Sequence, residues 1–135
     1  MKKISYEEFS GRLKHGEKNF NDLIFENMNL REFNLSKLDF SFSNFINVDF
    51  SNVDFTDSNL ENCLLDDSNM ENVIFINSNL KKASMRRANL QYANIKGAKL
   101  YAAVLEGANL KNIIFDNKTE YYKLYCPEPV SYTHL

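Results

Sequence analysis

Every fifth residue from Phe20 to Phe115 is large and apolar. The series runs Phe20, Phe25, Leu30, Leu35, Phe40 and continues in register to Leu105, Leu110 and Phe115, twenty positions with no polar exception. Two residues ahead of most of them lies a small side chain: Ser43, Val48, Val53, Ser58, Cys63 and onward to Ala103 and Ala108. The residue between the two is mostly Asn or Asp, as at Asn34, Asp39, Asp49, Asn59 and Asn89. A step of five residues carries a helix about 140° past a full turn, so these apolar residues would spiral and form no stripe. A plain strand fails too, because a period of two cannot stay in phase with a period of five. A fixed short period is the mark of a solenoid. The unit suits a closed coil in which a short segment turns its small and large residues inward and the next two, mostly polar, residues make the corner.

The stretches Ala88-Asn89-Leu90, Ala93-Asn94-Ile95 and Ala108-Asn109-Leu110 resemble the A-(D/N)-L-x-x unit of the pentapeptide-repeat family, and the resemblance covers about residues 20–117. It implies an all-β fold, a right-handed, four-sided parallel β-helix with one unit per side. Twenty units then make about five coils, a rod about 24 Å long at the spacing of stacked strands. Four units per coil stack Phe20, Phe40, Leu60, Leu80 and Leu100 inside, and Leu35, Phe55, Phe75, Ile95 and Phe115 on the last side. The small positions of the first coil hold Leu23, Met28, Phe33 and Leu38, too bulky for a narrow interior, so that coil is expected to splay or to cover the open end.

The ends differ from the repeats. Residues 1–16 read as an N-terminal capping helix: Ser5 and Glu8 have capping-box spacing, Ile4 and Phe9 the staple positions, and Gly16 a C-terminal stop. Residues 17–117 form the repeat body. Tyr121, Tyr122, Leu124 and Tyr125 read as an aromatic segment laid over the last coil, and residues 118–128 as the start of a C-terminal cap. Within it, Cys126-Pro127-Glu128 resembles the Cys-Pro extension of some bacterial members of the family. Residues 129–135 read as a non-native, adaptor-like tail or else as a floppy end. A truncated extension would leave an open edge, so self-association through the C-terminal end, or fraying there, is expected.

No apolar run has the length of a membrane span or a signal peptide, and a cytoplasmic protein without membrane contact is the expectation. With two cysteines there is no disulfide framework, and Cys63 falls at an inward small position. His15 and His134 have no partner at metal-ligand spacing, four glycines make no phosphate loop, and Asp66-Asp67 falls on outward corner positions. No enzyme, cofactor or metal site is expected.

Charge is unevenly spread. Residues 17–79 carry twelve Asp+Glu and three Lys+Arg, whereas residues 80–118 carry eight Lys+Arg and two Asp+Glu. Lys81, Lys82, Arg86 and Arg87 make a basic patch that could meet an anionic partner or serve as a solvated surface. Ile24, Leu64 and Val104 stand at outward positions of one side with Ile46 at its corner; Ile74, Ile76 and Ile114 do so on a neighbouring side. Such a row of aliphatics can mark a contact surface. The expected function is a non-enzymatic scaffold for a protein partner, with direct nucleic-acid binding not expected. The family resemblance adds a second reading, a DNA mimic that protects a type II topoisomerase; here the acids spread over all four sides and the later half is basic. A third reading is that the repeats are the front of a longer protein whose activity lies beyond them.

Overall fold

Backbone pairing repeats every twenty residues. The computed structural model describes residues 1–125, and in it the Asn/Asp positions bridge in four parallel ladders. The first ladder is Asn19, Asp39, Asn59, Asn79, Lys99 and Glu120; the second is Ile24, Asn44, Leu64, Ser84, Val104 and Tyr125. The third is Asn29, Asp49, Asn69, Asn89 and Asn109, and the fourth Asn34, Asp54, Ile74, Asn94 and Ile114. Each turn of the chain therefore consumes four five-residue units, giving a parallel β-solenoid. The backbone bonds follow the unit: Phe50 donates its N–H to the Asn69 carbonyl, one turn on, at 2.8 Å, and Asn52 donates to Glu71 at 3.0 Å.

The corners explain the unit's polar residues. The third residue of each turn has positive φ, near 60° at Asn52, Asp57, Asn62 and Asn72, and the next N–H closes the turn, as Val53 does onto the Phe50 carbonyl at 3.0 Å. Type II turns need that left-handed residue, and Asn, Asp and Gly tolerate it best. The Asn/Asp before each large residue has a separate task. At twelve of these positions its Oδ1 accepts the N–H two residues on, inside the corner.

The large lane is almost wholly sealed: Phe20, Phe40, Phe50, Phe55, Leu60, Leu65, Met70 and Leu80 are fully buried. Each contributes on the order of 1.5–3 kcal/mol of transfer free energy. In the small lane the Oγ atoms of Ser43, Ser58 and Ser78 donate to the Phe20, Leu35 and Phe55 carbonyls at 2.9, 2.6 and 2.7 Å, so these three inward hydroxyls are satisfied.

At the N-terminus, β1 (Lys2–Lys3) pairs parallel with β2 (Leu23–Asn29), which pairs with β3 (Asn44–Asp49). Ile4 adds a bond to the Ile24 carbonyl at 3.0 Å. Helix α1 (Tyr6–Lys14) follows, with the Ser5 hydroxyl accepting the Glu8 N–H at 3.0 Å. Gly16 at φ 83° ends it in a Schellman pair, Gly16 N–H to Leu13 and Glu17 N–H to Arg12. Phe9 plugs the rod, its ring 4.9 Å from Phe20 and 5.2 Å from Phe25. The first coil does not splay: Leu23, Met28 and Leu38 are buried and the pairing keeps its twenty-residue step, because these side chains fill the end beneath Phe9. The strand β1 had no sequence signal.

The other end overturns two expectations. Phe115 is 42% exposed and does not complete its inward stack. The segment after it slips by one residue: Lys99 bridges Glu120 and Val104 bridges Tyr125, each twenty-one residues on. Thr119 and Leu124 are buried at the small positions, so residues 119–125 continue the coil in a shifted register and are not an aromatic cover laid across it. The extra residue is tied down. Asp116 Oδ1 accepts the N–H groups of Gly97 and Lys118, both at 3.1 Å, while Thr119 Oγ1 donates to the Ile95 carbonyl at 2.9 Å. The Cys-Pro extension and the tail lie outside the described residues.

Candidate functional site

A coil that turns its large residues inward leaves only its middle and corner positions for contact. On the second ladder those positions are unusually apolar. In the coil containing β3, Phe42 stands at one corner and Ile46 at the other, with Asn44 between them. Ile24 lies one coil below Asn44 and Leu64 one coil above. Phe42, Ile46 and Leu64 are 55%, 42% and 47% exposed, and Ile24 is half-buried. Four apolar side chains thus ring one asparagine, over about 13 Å along the chain and 10 Å along the rod.

The same ladder breaks the longer row expected from sequence. Ser84 separates Leu64 from Val104, two coils further on, so the structure groups Ile24, Ile46 and Leu64 and leaves Val104 apart. On the fourth ladder Asn94 likewise separates Ile74 from Ile114.

Phe42 was missed because it falls in the corner pair, where polar residues prevail. The signal available in sequence was a large aromatic at a corner position; its left-handed backbone, φ 63°, belongs to the folded turn. A bulky residue rarely takes that conformation, and an exposed ring gains nothing from burial, so Phe42 is unfavourable on both counts.

The basic patch is divided by what stacks on it. Arg87 meets Asp67 one coil away with a bidentate pair, Nε–Oδ1 2.8 Å and Nη2–Oδ2 3.0 Å. The hydrogen bonds from Arg87 hold the exposed Asp67 carboxyl below its ordinary range. Arg86 lies between Asp66 at 3.9 Å and Glu106 at 4.0 Å, and Asp66 Oδ1 also accepts the Arg86 backbone N–H at 2.9 Å and the Ser84 hydroxyl at 2.6 Å. Asp66 supplies there the corner bond that Ser84, lacking an Asx side chain, cannot. Lys81 and Lys82 form no ion pair among the described residues.

The one cysteine among the described residues is inert. Cys63 is fully buried, its thiol donates to the Phe40 carbonyl at 3.0 Å, and burial pushes its pKa up to about 12. Among the described residues no three His, Cys, Asp or Glu side chains converge as a metal set, and no helix is long and apolar enough to cross a membrane.

This geometry agrees with the comparisons. The family model of the pentapeptide repeat region matches residues 38–115. The chain belongs to the pentapeptide-repeat family. A pentapeptide-repeat protein from the cyanobacterium Cyanothece 51142, Rfr23, is similar at 25% identity with a TM-score of 0.69, over 82% of this chain and 95% of that one. Trypsin-treated QnrB1, a plasmid-mediated fluoroquinolone resistance protein, shares the fold at 15% identity with a TM-score of 0.50, over 94% of this chain and 88% of that one. No curated protein matches the chain significantly. Proteins of this repeat type are generally structural or interaction proteins.

Proposed function

We propose that this pentapeptide-repeat chain is a non-enzymatic scaffold, a four-sided rod of about five coils, that takes a protein partner on the face around Asn44. The observation that carries this reading is Phe42, exposed and left-handed at once, ringed with Ile24, Ile46 and Leu64. Exposed aromatic side chains grouped with aliphatic ones are what protein interfaces use. The test is photo-crosslinking in cells of the source organism from a benzoylphenylalanine at position 64, with and without Phe42→Asn. Asn suits the left-handed corner, so the variant should melt no lower than the parent. A discrete adduct that Phe42→Asn removes supports the face; the same adducts from a probe at Asn72, on another corner, would sink it.

A second reading, protection of a type II topoisomerase by DNA mimicry, is favoured by the acidity of residues 17–79 and by the fold shared with a fluoroquinolone resistance protein. Against it, Asp66 and Asp67 are engaged by Arg86 and Arg87. Purified gyrase supercoiling DNA in the presence of a quinolone should gain no protection from this protein; clear rescue at micromolar concentration would reverse the ranking.

A further inference from the structure

With Arg86 and Arg87 compensated, Lys81, Lys82 and Lys123 are left without ion pairs among the described residues, at one corner of the last coils. There, between the first and second ladders, a groove of about 680 Å³ is lined by Lys81 and Lys82, by Tyr101 and Tyr122, and by Glu61 and Glu120. The tyrosines occupy successive levels of the corner and stack, centroids 5.7 Å apart at 22°. Tyr122 is 70% exposed, and the Lys123 ammonium lies 5.7 Å from its ring. Ala102, left-handed at φ 57°, falls between the levels of Lys82 and Lys123, so the wall between those two lysines is low.

We propose that this groove holds an extended acidic peptide segment of a protein partner. Three unpaired lysines, Lys81, Lys82 and Lys123, against the two glutamates set the sign of the ligand. The stacked tyrosines offer a flat amphipathic wall of the kind that packs proline or aromatic side chains. The carboxylates of Glu61 and Glu120 decide between acidic ligands. A nucleic-acid strand carries only negative charge on its backbone and would meet both, whereas a peptide brings amide N–H donors for them alongside carboxylates for the lysines. From Glu61 to Tyr122 the groove crosses three coil spacings, about 14 Å, which about four extended residues span. The groove continues the corner that carries Phe42, whose N–H donates to the Glu61 carbonyl at 2.9 Å. Its lysines and tyrosines lie in the later coils, so the scaffold offers two adjoining contacts of different chemistry.

The test is fluorescence anisotropy on the full chain with three labelled hexamers: alternating Glu-Pro, alternating Lys-Pro, and oligo-dT. Saturable binding is expected for the Glu-Pro peptide and not for the Lys-Pro peptide. Lys82→Glu and Tyr122→Ala should each weaken it on the order of tenfold. Both should leave the melting temperature nearly unchanged, since Tyr122 is mostly exposed and Glu32 already occupies an equivalent left-handed corner at φ 65°. Ile46→Asn, at the opposite corner of the Asn44 face, should leave peptide binding intact, which separates failure of this groove from failure of that face. No saturable binding, binding unmoved by both groove variants, or tighter binding of oligo-dT would each overturn the proposal.

Discussion

The first coils and the last close the same backbone path by different means. In the first, the interior is a continuous set of rings: Phe25 stacks on Phe45 at 4.7 Å, Phe20 on Phe40 at 5.8 Å and Phe55 on Phe75 at 5.4 Å, with Phe9 wedged in at the end. In the last, Leu80, Met85, Leu90, Ile95, Leu100 and Leu105 enclose a void of only about 10 Å³. The corners differ more. From Asp22 to Asn77, nine of twelve left-handed residues are Asn or Asp; from Lys82 on, one Asn and two Gly share that position with Lys82, Arg87, Tyr92, Ala102 and Lys123. Backbone strain is therefore concentrated in the second half. Of the side-chain ties across coils in that half, Arg87 to Asp67 starts from such a corner, while Asp66 to Ser84 and Asp116 to the Gly97 N–H hold unstrained positions.

The largest expected effect tests whether the halves stand or fall together. Phe50→Asp and Leu90→Asp should each unfold the chain by circular dichroism, because an unpaired buried charge costs several kcal/mol, whereas the outward change Asn52→Asp should move the midpoint little. If Leu90→Asp left the first coils folded, the two halves would be independent units. Next, Phe9→Ala should cost about 3–5 kcal/mol. Amide exchange should then rise first around Phe20, Phe25 and Phe40, and a uniform rise along the whole rod would show that the plug is not local.

Gly97→Ala probes the strained half. Glycine there is at φ 69°, and an added Cβ would lie 2.1 Å from Asn77 Oδ1. The cost should be about 1–2 kcal/mol in chemical denaturation, and Asn77→Gly, which keeps the left-handed corner at φ 56° unstrained, should recover only the part due to the clash. The smallest effect concerns the small lane. Ser68 Oγ is buried without a hydrogen-bond partner among the described residues, while Ser78 Oγ is bonded to Phe55. Ser68→Ala should therefore be neutral or stabilising by up to about 1 kcal/mol, and Ser78→Ala destabilising by about the same amount. Equal melting shifts of the same sign would show that the hydroxyls of the small lane are interchangeable.

The candidate site was only partly legible. Ile24, Ile46 and Leu64 could be picked from the period, because an aliphatic residue at an outward position breaks a simple rule. Phe42 broke the same rule at the corner and was passed over, since its left-handed backbone is a property of the folded turn. The groove tyrosines were split between a regular corner, Tyr101, and what read as a cover, Tyr122; the register slip that stacks them has no five-residue signature.

The sequence by itself determined the inward lanes, the solenoid class and the capping helix, because each rests on residues within a few positions of one another: a spacing of five, or Ser5 facing Glu8. Only the tertiary structure decided which outward residues meet. Arg87 finds Asp67, Asn44 interrupts Ile24 and Leu64, and Tyr122 reaches Tyr101, because a coil places side by side residues twenty or twenty-one apart. Those neighbours depend on the number of units per turn and on one inserted residue near Asp116, and neither is written in any single repeat.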